Sequence, residues 1–289
     1  MSEARHVNIL SSDGIRLHAR IYGETSHRGL PVVCLPGLTR NADDFHALAL
    51  HLSEAKHGRR VIVLDYRGRG DSEFDPDWHH YTVAVEAVDV RQILKSLRVN
   101  EAIFIGTSRG GLITMALAVT LPSLVRASVL NDIGPVIEVE GLKRIASYVG
   151  KGGMPADWAD AVKRLKFSNS DFTNLSEAEW FDFARVVYRE TADGALKLSY
   201  DPALSNGLAG LDLSKPLPSA WPMFEALSHI PVMVLRGANS DLLSEATLGE
   251  MARRHPNLVK VEIEQEGHAP FVGRPKAAEA IAEFIGRIA

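Results

Sequence analysis

Ser108 stands in the run Gly106-Thr107-Ser108-Arg109-Gly110-Gly111, where a short apolar stretch gives way to a helical pattern. A hydroxyl in that place can act as a nucleophile, because glycines on both sides let the chain bend and project the side chain from the end of a strand. Gly-x-Ser-x-Gly is short enough to recur by chance, and the plainer alternative is a turn whose serine caps the helix; the strand-then-helix context favours the nucleophile. Serine reacts poorly at its own pKa and needs a neutral base within hydrogen-bond reach. Of 11 histidines, His268 lies in Glu266-Gly267-His268-Ala269-Pro270, directly after the last strand-like run and so at the same sheet edge. An imidazole that gains a proton during a reaction needs a carboxylate to fix its tautomer and stabilise the cation. Asp241, reached from Val232–Leu235 through Arg236-Gly-Ala-Asn-Ser240, and Asp132, directly after Val129-Leu-Asn131, both follow strand-like runs. Asp241 is favoured, since its strand neighbours the one that carries His268; otherwise it is an ordinary loop or helix-cap carboxylate.

Acyl transfer also requires donors aimed at an oxyanion. The backbone N–H of Arg109 is placed by the serine turn, and a second is expected from Leu38 in Leu35-Pro36-Gly37-Leu38, which follows an earlier strand. Asp75, Asp77, His79 and His80 crowd one Pro-containing loop without a recognised ligand spacing, so a solvated loop is expected there and no metal site. Arg67-Gly-Arg-Gly-Asp71 is not a dinucleotide fingerprint. Aromatic residues concentrate between residues 134 and 224, where Trp180, Trp221 and Phe224 are expected to line an apolar acyl pocket.

These residues need a scaffold that brings strand ends together. Val7–Asp13 and Ile15–Tyr22 alternate about Asp13-Gly14 as an antiparallel hairpin, whereas Pro31–Leu35, Val61–Asp65, Ala102–Gly106 and Ala127–Asn131 are short apolar runs suited to strands buried on both faces. Helical periodicity separates them over Asp43–Lys56, Val83–Leu97 and Gly111–Val119. From Gly134 to about Phe224 the pattern is helical, with segments near Leu142–Val149, Ala156–Leu165 and Glu177–Arg189. Strand-like runs then resume at Pro231–Leu235 and Val259–Ile263, around a helix at Glu245–Arg254 and before a closing helix from Lys276 to Ile288. The expected fold is α/β, with an α/β core over residues 1–133 and 225–289 and an inserted helical lid over 134–224.

The 289 residues, 46% hydrophobic and 24% charged, suit a globular enzyme with one large core, and no stretch approaches the roughly 18 uninterrupted apolar residues of a membrane helix. With 32 basic and 36 acidic residues mixed along the chain, no basic stripe offers counterion release to a nucleic acid. The lone Cys34 cannot form an internal disulfide, and Met1–Val7 leads into alternating residues without a signal-like apolar region; a cytoplasmic setting is expected. Oligomeric state is not readable.

The turn at Ser108, the Gly37-Leu38 loop, Asp65-Tyr-Arg-Gly-Arg-Gly-Asp-Ser72, Gly237-x-x-x-Asp241 and Gly267-His268 together resemble the α/β-hydrolase family over nearly the whole chain. The resemblance implies a mostly parallel eight-stranded sheet with helices on both faces, a lid after the sixth strand, no cofactor and a covalent acyl-enzyme. Two departures stand out: Pro36 replaces a common histidine, and Arg109 follows the serine where an apolar residue is common, so its guanidinium needs a carboxylate partner. The expected function is hydrolysis of a carboxylic ester with an apolar portion. A C–C bond hydrolase, a lactonase or an acyltransferase with the same triad, and a non-catalytic ligand-binding protein on this fold, are the alternatives.

Overall fold

The computed structural model describes residues 4–25, 28–54 and 56–288. Among them an eight-stranded sheet has the order β1-β2-β4-β3-β5-β6-β9-β10. Its strands are β1 (Arg5–Leu10), β2 (Arg16–Tyr22), β3 (Val32–Leu35), β4 (Val61–Asp65), β5 (Ala102–Thr107), β6 (Val125–Asn131), β9 (Val232–Gly237) and β10 (Val259–Ile263). β1 and β2 pair antiparallel, β2 joins β4 antiparallel, and every pairing from β4 to β10 is parallel. The mostly parallel eight-stranded sheet expected from the sequence is therefore present.

The period-2 alternation of strand side chains divides the core. Val33, Leu35, Ile62, Leu64 and Phe104 point to one face, where α2 (Val83–Ser96) and α3 (Arg109–Thr120) add Val90, Ile93, Ile113 and Leu117. Val32, Cys34, Val61, Val63, Ile103 and Ile105 point to the other, covered by α1 (His46–Ser53) and α10 (Pro275–Gly286) through Leu48, Leu52, Ile281 and Phe284. Strands buried on both faces must read as continuous apolar runs, as these do. Helix α1 stops at Ser53, short of the expected Lys56.

Between β6 and β9 run α4 (Val139–Tyr148), α5 (Trp158–Ser168), α6 (Glu177–Val187), α7 (Leu204–Ala209) and α8 (Trp221–Glu225). A capping box starts α6: Ser176 Oγ accepts from Glu179 N while Glu179 accepts from Ser176 N. An antiparallel hairpin, β7 (Tyr188–Glu190) and β8 (Leu196–Leu198), interrupts these helices and lay beyond the sequence reading, because three-residue strands carry too little alternation to stand out. No helix among the described residues is long and apolar enough to cross a membrane.

The β4–α2 connection is solvated at Asp77 and His79, as its charges lead one to expect, but not at Asp75. Asp75 is buried and accepts from Arg67 Nη1 (2.5 Å), whose Nε and Nη2 bond the Asp89 carboxylate (2.7 and 2.8 Å) and whose Nη1 also reaches Asp13 Oδ2 (2.8 Å). A guanidinium removed from water needs such company, and three carboxylates share it. Replacing it should leave Asp75 and Asp89 buried without a cation, so Arg67→Met is expected to lower the unfolding free energy by about 3–5 kcal/mol in a denaturant titration; a loss below about 1 kcal/mol would show that the cluster is structurally idle. The Arg67 bond, seconded by Ser11, holds Asp13 below the usual carboxylate range. Its contribution is present above its unfolded pKa, near 4, and is lost as pH falls through the depressed folded value. Acid unfolding below about pH 4 should therefore be steeper for the wild type than for Asp13→Asn.

Candidate active site

β3 and β5 are adjacent parallel strands, with β4 on the far side of β3, so chain direction across the sheet reverses between them. Loops leaving the carboxyl ends of such strands diverge and open a crevice. Ser108 leaves β5 there. Its φ of 51° lies in the left-handed region, a costly conformation for a residue with a side chain, and it precedes the first turn of α3. The turn closes only because its neighbours lack Cβ atoms: one on Gly106 would lie 2.4 Å from Gly110 C, and one on Gly110 would lie 2.1 Å from Leu35 O. Ser108 N donates to Asn131 O (2.9 Å), which ties the turn to β6.

His268 arrives from the loop after β10. Its Nε2 lies 2.9 Å from Ser108 Oγ and its Nδ1 lies 2.8 Å from Asp132 Oδ2. Asp132, wholly buried, also accepts from Gly237 N (2.9 Å) and Ser240 Oγ (2.5 Å). A carboxylate that only accepts fixes the proton on Nδ1 and leaves the Nε2 lone pair facing the serine hydroxyl.

This geometry corrects the expected acid. Asp241 does not touch His268; it takes two hydrogen bonds from Arg144 of α4 (Nε 2.6 Å, Nη2 2.8 Å). Burial pushes the Asp241 carboxyl up, but the Arg144 bonds and charge outweigh it and hold the pKa below its usual value. Arg144 also stands 3.4 Å from Asp171, which accepts from His268 N (3.1 Å) and whose own carboxyl is raised by burial. Asp241 thus fastens α4 to the loop after β9, and Asp132 occupies the position beside the imidazole because it follows β6 with no intervening loop.

The Gly37-Leu38 loop lies beside the serine: a Cβ on Gly37 would sit 3.9 Å from Ser108 Cβ. Tyr66 donates to Pro36 O (3.2 Å) and Arg69 Nε to Leu38 O (2.8 Å), which pins the carbonyls on either side of the loop. Arg109 N opens α3, where first-turn amides have no intrahelical acceptor. The carboxylate partner that Arg109 requires is Glu86 of α2, wholly buried, which accepts from Arg109 Nε and pairs with Arg69 Nη1 at 2.8 Å. One carboxylate therefore braces both arginines beside the two loops. A glutamate set among the apolar positions Ala87 and Val90 was the available sign of it.

A cavity of about 490 Å³ opens over Ser108 and His268. Its wall includes Leu38, Arg40, Tyr148, Phe172, Phe183 and Phe271. The aromatic residues expected there are displaced. Trp180 is buried behind the wall, stacked on Phe183 with ring centroids 5.9 Å apart. Trp221 lies under the Arg254 guanidinium (4.0 Å to the ring centroid), and Phe224 is buried beside His255 (centroids 6.1 Å apart), both on α8, which packs on α3. A short helix that returns the chain to the core buries Phe224 there and leaves Trp221 half-buried against it.

Comparison with known proteins agrees with this architecture. A family model described as alpha/beta hydrolase fold matches residues 31–275. The 3-hydroxybutyrate-oligomer hydrolase of Cupriavidus necator is 33% identical over 284 residues, 93% of this chain and 94% of its own. An sn-1-specific diacylglycerol lipase of Xenopus tropicalis is 37% identical over 235 residues, 79% of this chain and 69% of its own. The crystal structure of an alpha/beta hydrolase from Novosphingobium aromaticivorans superimposes with a TM-score of 0.92 at 37% identity, each chain covered completely.

The two aspartates make separable predictions. Asp132→Asn should lower kcat for a neutral ester by on the order of 10³ to 10⁴-fold while the protein still folds, whereas Asp241→Asn should cost far less. Steady-state kinetics with circular dichroism check this, and the reverse ranking would return the acid role to Asp241.

Proposed function

This chain belongs to the α/β-hydrolase family, and we propose that it hydrolyses carboxylic esters through an acyl-enzyme on Ser108. The observation that carries the reading is the unbroken run of hydrogen bonds from Ser108 through His268 to Asp132. As Ser108 Oγ attacks the ester carbonyl carbon, its proton passes to His268 Nε2, and Asp132 stabilises the imidazolium that results. The carbonyl oxygen takes the negative charge and is held by the N–H groups of Leu38 and Arg109. Collapse of this intermediate breaks the bond to the alcohol oxygen, which leaves with the proton from Nε2. A water then repeats the sequence against the acyl-serine and releases the carboxylic acid.

Residues 134–224 act in this reading as an inserted lid over the core formed by 1–133 and 225–289. The mixed wall of the cavity supports it, since Tyr148, Phe172 and Phe183 belong to the insertion and Leu38, Ser108 and His268 to the core. No cofactor enters any step. The lone Cys34, buried in β3, supports a reducing, cytoplasmic setting. The name of the Cupriavidus relative supports esters of short hydroxy acids as the substrate class.

A fluorophosphonate should label the protein once, at Ser108, and Ser108→Ala should lose both label and ester hydrolysis. A variant that keeps either at the wild-type level would remove Ser108 from the mechanism. A panel of acyl esters, amides, lactones and ring-cleavage diketones then separates ester hydrolysis from the C–C and lactone chemistries, with esters expected to be turned over fastest.

A further inference from the structure

Of the charged residues in the cavity wall, Lys151, Asp160, Lys163 and Arg164 come from the insertion, whereas Arg40 and Asp44 come from the core segment that also carries Gly37 and Leu38. Arg40 and Asp44 both line the cavity, and each side chain is mostly withdrawn from solvent, 16% and 13% exposed. Their partnership is bidentate: Arg40 Nε donates to Asp44 Oδ2 (2.7 Å) and Nη2 donates to Asp44 Oδ1. The guanidinium lies 4.1 Å above the centroid of Phe183, which fixes its plane. The stem and the nucleophile both flank Gly37, since a Cβ there would fall 3.2 Å from Arg40 Cγ and 3.9 Å from Ser108 Cβ.

A planar guanidinium carries five N–H bonds, and Asp44 uses the edge formed by Nε and Nη2. The Nη1 donors lie outside that edge. A plain alkyl chain could not use them and would have to strip water from them without replacement, which is costly. An acyl chain with an oxygen a few bonds from the scissile carbonyl would satisfy them while Phe172, Phe183 and Phe271 cover its carbon atoms. Such an oxygen is the hydroxyl of a 3-hydroxyacyl group or the next ester carbonyl of an oligoester. Asp44 offsets most of the arginine's charge, so the arrangement suits a neutral oxygen acceptor better than a free carboxylate.

We propose that Arg40, oriented by Asp44 and Phe183, is the residue that selects oxygen-bearing acyl chains, through a hydrogen bond from Nη1 to an oxygen at or beyond the third carbon. This rests on the ester-hydrolase reading and names its substrate class. No covalent step is added.

The test compares p-nitrophenyl esters of butanoate, of 3-hydroxybutanoate and of the linear 3-hydroxybutanoate dimer, which share one leaving group. The wild type should favour the two oxygenated esters in kcat/KM. Arg40→Met should lower the ratio of oxygenated to plain ester by about tenfold or more, the worth of a hydrogen bond to a charged group. Because that variant strands the Asp44 carboxylate, Arg40→Met/Asp44→Asn provides the same ratio without a lone buried charge. Calorimetric titration of Ser108→Ala with the dimer methyl ester, with and without Arg40→Met, reads the contact in the absence of turnover and should show a matching rise in Kd. A wild-type ratio near one, or variants in which both esters decline together and the ratio holds, would overturn the assignment while leaving ester hydrolysis intact. Failure of the wild type to turn over any of the esters would overturn the ester-hydrolase reading itself, and this assignment with it.

Discussion

A carboxylate buried at the end of a strand must have its lone pairs satisfied, and at Asp132 that requirement gathers the carboxyl ends of the sheet. Gly237 N–H from β9, Ser240 Oγ from the following loop and His268 Nδ1 from the loop after β10 all meet this side chain. Parallel strands about 4.8 Å apart end in loops that would otherwise diverge. Asp132, itself on the loop after β6, draws the loops after β9 and β10 inward, at a φ of 55° that costs backbone energy. The reward is a single imidazole orientation, with the lone pair of Nε2 directed at Ser108.

Around this centre the charged residues hold backbone more than they face ligand. Glu86 joins Arg69 to Arg109, and through Arg69 reaches the carbonyl of Leu38. Arg67 gathers Asp13, Asp75 and Asp89 on the outer side of the same connection. Burial lowers the Arg69 pKa, with Glu86 offsetting it, which marks the cost of placing a cation there. The Arg-Gly-Arg-Gly segment is thus a scaffold for the Gly37-Leu38 loop, and Arg40 is the exception among these arginines in lining the cavity.

Much of this was legible in the sequence because burial on both sheet faces leaves continuous apolar runs, and because a strained turn at Ser108 demands glycine at fixed places. His268 was legible for the same reason, as it follows the last strand at once. Asp132 and Asp241 were not separable, since both follow strands, and the choice depends on Arg144, 97 residues away from Asp241 in the chain, claiming the second. The aromatic wall was misread on similar grounds: Trp180 stands on the α6 side that stacks against Phe183, and α8 turns Trp221 and Phe224 toward the core. These assignments are settled by contacts between distant segments, which periodicity does not encode.

The contact between Asp132 and His268 is the claim on which the account stands, and proton NMR of protein carrying ¹⁵N-labelled histidine observes it without substrate. His268 should show an exchange-protected Nδ1–H signal at low field, present in the wild type and in Asp241→Ala, and absent from folded Asp132→Ala. Persistence of that signal in Asp132→Ala, or its loss in Asp241→Ala alone, would contradict the account.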